Sequence, residues 1–498
     1  MEEILTKRGF LFKSSEIYGG IAGFYDYGHL GTLMKRKLEN LWRNYFLNLN
    51  ENFYEIEPSE IMPERVFIAS GHIKNFVDPI VICKKCGSEF RADHLIEKKT
   101  KESAEHLTEE QLTKKIKELN IKCLECGGEL GKVKYLNLMF PLTIGSNEKG
   151  YLRPETAQSC YVSFKRMFNA TRERLPLGLA IIGKAFRNEI SPRQGTYRMR
   201  EFTQAELQIF FDPDQINECE NFEDVENYKL KIKFSNNKNV EEIYCKKLMD
   251  KLPKFYIYYL AKVQQFFLNA LKVNPEKFRL RELGEEEKAF YNKYHFDVEI
   301  FSKKFDTFKE VGGVHYRTDH DLKGHEKISG ENLHVNIEGK KFIPHVLELS
   351  FGVDRIFYFL LELSYSNKIL KLNPKIAPFT LGIFPLVNKD NLDKKGFELY
   401  KELKKKFDCF FDSKGSIGKR YARADEVGIP YCITIDYDSL KDNTVTVRDR
   451  DSTEQVRIKI SELEKIVKKL INMEIDFKNI GKTVLTRKKK EGYRSQII

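Results

Sequence analysis

Residues 183–206 read GKAFRNEISPRQGTYRMREFTQAE and have the look of a strand, a loop and a returning strand. Side chains alternate faces along a strand. Arg187 and Glu189 therefore share one face, and Arg198, Arg200, Phe202, Gln204 and Glu206 share one face of the returning strand. One sheet surface then carries arginines for phosphates, an aromatic ring for a base, and carboxylates for a cation or an amine. Those parts would hold ATP beside an amino-acid-like molecule. The plain alternative is a solvated hairpin with surface charge pairs. Such a hairpin would need neither Phe202 among its charges nor three arginines with two glutamates.

Two other stretches bear the same kinds of group. YLRPETAQSCYVSFKRMF (151–168) sets Glu155 near a helix start, where the helix dipole favours a carboxylate. HVLELSFGVDRIFYFLLE (345–362) reads as a strand running into a helix. Glu348, Ser350 and Gly352 share one face of that strand, and Arg355 falls in the first helical turn, where free amides already favour an anion. Taken alone, this is a strand–helix corner with Asp354 and Arg355 as a surface pair.

Four of the nine cysteines form two Cys-x-x-Cys pairs, Cys83/Cys86 and Cys123/Cys126, each followed by glycine. Cys160, Cys219, Cys245, Cys409 and Cys432 are scattered. An odd count in a long chain argues for metal ligation and against a disulfide framework. Four thiolates suit structural Zn²⁺ with no ligand position left open; reduced thiols without metal are the alternative. The gap between the pairs exceeds the common ribbon spacing of about 15–20 residues. A charged helix with a Thr108/Gln111 capping-box pattern can span it.

These groups need elements to hold them. Met34, Leu38, Leu41, Trp42, Tyr45 and Phe46 fall at helical spacing after the Gly- and aromatic-rich loop GFYDYGHLG (23–31). Residues 214–300 are charged, with amphipathic pieces such as YYLAKVQQFFLNAL. Pro374 and Pro378 mark a linker, after which LGIFPL, a helix over 391–407, FDCFF and YCITIDYD alternate as in a small α/β unit. With 498 residues the chain can hold two or three domains. No run of about 18 apolar residues predicts a membrane span, and MEEILTKRGF lacks the apolar core of a secretory signal, so a cytoplasmic location is expected. The net charge of +12 favours a polyanionic partner.

Taken in order, the stretches resemble a known family. Phe186-Arg187-Asn188-Glu189 and Arg198-Met199-Arg200-Glu201-Phe202 match motif 2 of class II aminoacyl-tRNA synthetases, FRxE, a loop, then Arg-x-x-x-Phe. Gly352-Val353-Asp354-Arg355 matches motif 3, and the helix after GFYDYGHLG resembles motif 1, the dimer helix. The glycyl branch is the nearest likeness, through RPETAQ, the RADH tetrapeptide (Arg91–His94), and a YDYGPLG-like loop in which His29 replaces proline. Leu349 likewise replaces the proline of the usual EPSFG.

The resemblance implies an α+β fold: a class II antiparallel-sheet catalytic core over 1–372, with insertions at 83–126 and about 214–300, and a C-terminal α/β anticodon-binding domain over 373–498. It implies glycine, ATP with Mg²⁺, and tRNA(Gly) as partners of a homodimer, with Zn²⁺ on Cys83, Cys86, Cys123 and Cys126. ATP would meet Arg187, Asn188, Glu189, Tyr197, Arg198, Phe202, Glu310, Val311, Gly352, Asp354 and Arg355. Glycine would meet Arg91, Glu155, Phe202, Gln204, Glu206, Glu348, Ser350 and Gly352, with Glu155 on its ammonium group. Arg187, Glu348 and Arg355 would be catalytic, Glu348 as the Mg²⁺ partner; Arg317 and Asp319 are weaker candidates. Lys419, Arg420, Arg423 and the tail TRKKKEGYR are candidate RNA contacts. Rival readings are a class II synthetase for threonine or proline, and a non-catalytic synthetase-like RNA-binding or polymerase accessory protein. Such relatives usually lose the motif arginines, and Arg187, Arg198 and Arg355 are all present.

Overall fold

The hairpin strands Leu177–Phe186 and Glu201–Phe211 are buried at most positions, which requires cover on both faces. In the computed structural model, which describes residues 2–484 apart from 105–106, 191, 193–194 and 290, they lie inside a nine-stranded sheet. The tail TRKKKEGYR lies outside the described residues. The strands are β1 (Phe53–Glu55), β2 (Leu177–Phe186), β3 (Glu201–Phe211), β4 (Lys229–Lys233), β5 (Glu241–Tyr244), β6 (Phe278–Glu282), β7 (Tyr294–Ser302), β8 (Thr307–Thr318) and β9 (His345–Gly352). Their order is β5-β4-β6-β7-β8-β9-β3-β2-β1. From β6 to β2 every pairing is antiparallel, and β1 joins β2 in parallel. Residues 214–300, which composition alone left unassigned, continue this same sheet through β4 to β7.

Register puts the chemistry on one face. Gln204, Glu206 and Gln208 of β3 lie opposite Gly352, Ser350 and Glu348 of β9, and His315 of β8 lies on the other side of Glu348. The opposite face is apolar. Phe351 there meets Phe46 at 4.9 Å and Trp42 at 5.9 Å, both from α1 (His29–Phe46), and Phe267 at 6.1 Å. Phe267 follows α3 (Lys254–Gln265), the buried YYLAKVQQ segment. Helix α2 (Ala157–Ala170) packs Phe164 and Phe168 with Leu177, Leu179 and Phe210, covering only one end of the polar face. The other end stays open.

The cysteine segment forms its own three-stranded sheet from Val77–Ile82, Glu89–Arg91 and Lys134–Asn137. Two helices, Ala92–Thr100 and Glu109–Glu118, bridge the gap where one was expected. The second begins with the anticipated capping box: Gln111 N donates to Thr108 Oγ1 at 3.4 Å and Thr108 N to Gln111 Oε1 at 2.9 Å.

By contacts the chain divides into a unit of Phe12–Asp26 with Trp42–Phe359, which holds the nine-stranded sheet, and a unit of Met1–Leu11, Tyr27–Leu41 and Leu360–Ile498. The latter contains a six-stranded mixed sheet, parallel among Cys409–Phe411, Leu381–Pro385 and Tyr431–Ile435 and antiparallel beyond. Among the described residues no helix is long and apolar enough to cross a membrane.

Arg420 departs from its expected place on an RNA-facing surface. It is 2% exposed, and its guanidinium donates to the carbonyls of Pro385, Ser413 (2.8 Å) and Gly415 (2.7 Å). Arg423 pairs with Asp412 at 2.8 Å, and Lys419 is exposed. Arg420→Ala is expected to strip those carbonyls of their donors and to destabilise this unit by about 2–4 kcal/mol. Thermal unfolding reads this directly; an unchanged midpoint would show that the carbonyls find other partners.

Candidate active site

The open end of the polar sheet face is a cavity of about 370 Å³. One end of it is acidic. Glu206, 2% exposed, accepts from Thr156 Oγ1 at 2.6 Å, Gln204 Nε2 at 2.9 Å and Ser350 Oγ at 2.9 Å. An ionised carboxylate has about four acceptor positions, so one stays available. Burial, with Glu348 and Glu155 nearby, raises its pKa to about 7. Glu155 sits just before α2, where Gln158 Nε2 donates to it at 2.9 Å and His72 Nε2 lies 3.7 Å away. Burial pushes its carboxyl up, but His72, Arg317 and Gln158 outweigh that and hold it well below the usual carboxylate range.

Glu348 is the most heavily bonded member of this group. Its Oε1 meets His315 Nδ1, and its Oε2 accepts from Gln208 Nε2 at 2.9 Å, Arg317 at 3.1 Å and Tyr161 at 3.4 Å. Burial opposes its charge, but Arg317 and His315 prevail and hold its pKa at about 2. Arg317 is 5% exposed and also grips Asp321 with two bonds, at 2.8 and 3.1 Å. Oε2 of Glu348 takes three donors and Oε1 only His315, so the protein itself uses most of what Glu348 can accept. Glu310, paired with Arg355, leaves more of its carboxylate for Mg²⁺ than Glu348 does.

The other end carries the arginines. β2 stops at Phe186 and β3 starts at Glu201, so Arg187, Glu189, Arg198 and Arg200 lie beyond the ladder and strand alternation does not set their directions. Arg187, Glu189 and Arg198 nonetheless line the cavity with Phe202. The Arg187 guanidinium lies over the rings of Phe202 (5.3 Å) and Phe76 (5.4 Å) and donates through Nε to Pro154 O at 3.0 Å. Arg198 faces Glu189 at 3.6 Å. Arg355, in the first turn of α4 (Val353–Ser364), donates to Tyr197 O at 3.2 Å, covers the Tyr197 ring at 4.9 Å and pairs with Glu310 at 3.2 Å. A Cβ on Gly352 would stand 3.3 Å from the Arg355 side chain, so the glycine makes room for it.

Several expected residues lie elsewhere. Val311, on β8, is fully buried, and Asn188 donates its N–H to Leu138 O away from the cavity lining. Arg91 is outside the lining, tied to Asp78 (3.2 Å) and Asp93. Asp354 does reach the lining but is 2% exposed; it accepts the backbone N–H of Thr203 and so braces α4 against β3. His315, His295 and Asp297 were missed, and Arg317 was underrated; all four line the cavity. Only the pairing of β7, β8 and β9 brings them there, a signal that spacing within one stretch does not carry.

The four paired cysteines converge, their sulfurs all within 4.8 Å of one another. Cys83 and Cys126 are 3.6 Å apart, as are Cys86 and Cys123. A disulfide needs about 2.05 Å, whereas tetrahedral zinc bonds of about 2.3 Å put sulfurs about 3.8 Å apart. The two loops match: Lys85 N points at Cys83 Sγ and Glu125 N at Cys123 Sγ, each at 3.4 Å, and Gly87 and Gly127 turn at positive φ. This cluster can hold a metal ion.

The family model described as tRNA synthetase class II core domain (G, H, P, S and T) matches residues 140–364, and that described as anticodon binding domain matches 380–470. The chain is 41% identical to the glycine–tRNA ligase of Pyrococcus abyssi, over 95% of this chain and 98% of that one. It is 38% identical to that of Methanocaldococcus jannaschii, over 93% and 96%. A prolyl-tRNA synthetase from Cryptosporidium parvum, solved with L-proline and AMP, shares the fold with a TM-score of 0.57 at 14% identity, covering 95% of this chain and 74% of that one. The motif arginines, the acidic end of the cavity and near full-length likeness to these ligases agree, and the chain belongs to the glycine–tRNA ligase family of class II synthetases.

Proposed function

We infer that this chain is a glycine–tRNA ligase, which activates glycine with ATP to glycyl-adenylate and pyrophosphate and then transfers glycine to the 3′ end of tRNA(Gly). The observation that carries the reading is one cavity with buried carboxylates at one end and three arginines at the other. Glycine's carboxylate is already ionised, so no protein nucleophile is required. Its oxygen attacks the α-phosphorus in line, and catalysis is positioning and charge compensation.

Arg187, fixed by Phe76, Phe202 and Pro154 O, presents its remaining N–H groups to the α-phosphate. Arg198 and Arg355 take the outer phosphates, Phe202 stacks on adenine, and Glu189 accepts from the adenine amino group. Tyr197 supports Arg355. Val311 contributes through its main chain, while Asn188, its N–H held by Leu138 O, fixes the turn between Arg187 and Glu189. Glu310, at the mouth and paired with Arg355, is the carboxylate suited to Mg²⁺, which when bound offsets phosphate charge. Glu155 and the last free acceptor position of Glu206 hold the glycine ammonium, with Gln204 and Ser350 fixing Glu206. A side chain on the substrate would overlap this saturated network. In transfer, a ribose hydroxyl forms the ester with the glycyl carbon, the bond to the adenylate oxygen breaks, AMP leaves with the electron pair, and the hydroxyl proton passes to solvent.

The likeness of α1 to motif 1 supports a homodimer, and the four sulfurs support structural Zn²⁺. A cytoplasmic enzyme fits the absence, among the described residues, of a spanning helix.

ATP–pyrophosphate exchange across all twenty amino acids tests the reading: exchange is expected with glycine alone, and Arg187→Ala should lower it by at least about a hundredfold. Exchange with a different amino acid, or none at all, would overturn it. Glu206 is neutral below its pKa of about 7, and only the ionised form attracts an ammonium. The KM for glycine should therefore rise as pH falls from 8 to 6, approaching about tenfold per unit at the acid end. A flat profile would show that Glu206 is ionised throughout. Elemental analysis should find about one zinc per chain, and Cys123→Ser should lose it with an earlier unfolding transition; a metal-free, equally stable wild type would restore the reduced-thiol reading.

A further inference from the structure

The acidic and arginine ends account for the cavity above β3 and β9. A third part, bounded by Leu283, Ala289, Asn292, His295 and Asp297, is used by neither. Asp297 stands on β7 between Arg281 of β6 and Gly313 of β8, so it is uncovered on the β8 side alone. Its side chain is 14% exposed, and two groups hold it: His295 Nε2 donates to Oδ1 at 3.1 Å, and Arg281 donates to Oδ2 at 3.4 Å. The Asp297 carboxylate can only accept, so the ring proton of His295 sits on Nε2, toward it, and Nδ1 lies 3.4 Å from Asn292 Nδ2. Burial and the neighbouring His315 favour the neutral ring.

Among the described residues these are the donors to Asp297, so about two of its four acceptor positions stay open. Glu348, two strands away, is already met by four donors. A fixed carboxylate with spare acceptor positions in an uncovered place suits a sugar hydroxyl. The place also adjoins the acidic end, because the His295 ring meets the His315 ring edge-on at 4.2 Å and His315 holds Glu348. A ribose on Asp297 would bring its neighbouring hydroxyl beside glycine.

We propose that Asp297 binds the non-reacting hydroxyl of the terminal tRNA ribose during transfer, with His295 and Arg281 as positioning residues. This rests on the ligase reading.

The test separates the two half-reactions. Asp297→Asn should keep glycine-dependent pyrophosphate exchange within about twofold, while single-turnover transfer from preformed enzyme-bound glycyl-adenylate slows about 10- to 100-fold. Wild-type enzyme should be slowed similarly by tRNA whose terminal adenosine lacks the non-reacting hydroxyl. That tRNA should not slow Asp297→Asn further, since both changes remove one interaction. Additive losses, or a raised KM for ATP in exchange, would overturn the proposal, the latter by placing the ATP ribose there. Should the variant fail to fold, wild-type enzyme decides alone: transfer to the deoxy-terminated tRNA within twofold of normal overturns it. Wild type without glycine-dependent exchange would instead sink the ligase reading.

Discussion

The buried guanidinium of Arg317 is the charge on which the cavity depends. Glu155, Glu206 and Glu348 converge in a desolvated space, where three carboxylates without a counter-charge would take up protons. Arg317 binds Glu348 and Asp321 together, and His315 adds a second donor to Glu348. Glu348 thereby stays ionised. Burial raises the pKa of Glu206 to about 7, with the fixed charge of Glu348 adding to that rise. Arg317 with His315 keeps Glu348 a permanent anion, His72 leads in depressing Glu155, and Glu206 is left to titrate.

Such an arrangement demands a rigid frame, because a buried pair is favourable only with good geometry and saturated hydrogen bonds. The antiparallel ladders supply that frame. β3, β9 and β8 are central strands, and their fixed register sets Gln208, Glu348 and His315 side by side. The aromatic layer beneath, with Phe351 against Phe46, Trp42 and Phe267, lets the strands neither slip nor twist independently. A slip of one residue would turn Glu206 and Glu348 into the apolar face and Phe351 into the cavity.

Much of this was legible in the sequence where one rule sufficed. Alternation correctly grouped Phe202, Gln204 and Glu206, and Glu348, Ser350 and Gly352, because those residues lie within regular ladders. It does not govern Arg187 and Arg198, since the strands end at Phe186 and begin at Glu201. The capping box of Thr108 and the paired cysteines were readable because their partners are close in sequence or alike in type. Arg420 misled because its basic type, in a segment resembling an anticodon-binding domain, suggested an RNA contact, whereas the carbonyls of Pro385, Ser413 and Gly415 draw it inward. Arg317, His315 and Asp297 became meaningful only when strands distant in sequence were paired. Long-range pairing is what a local reading lacks.

Glycines complete the logic of the cavity by what they omit. Gly313 lies between Asp297 and Ser350 in the ladder, and a Cβ there would come within 2.3 Å of His315 Nε2. Any larger residue would displace the histidine that keeps Glu348 ionised and would cover Asp297 as well. Gly352 yields space to Arg355 in the same way at the other end. Steric room and charge are therefore not separate features of this site. The position that leaves the carboxylates accessible is the one that lets their counter-charges approach, so a cavity of this size and polarity follows from the same few backbone positions.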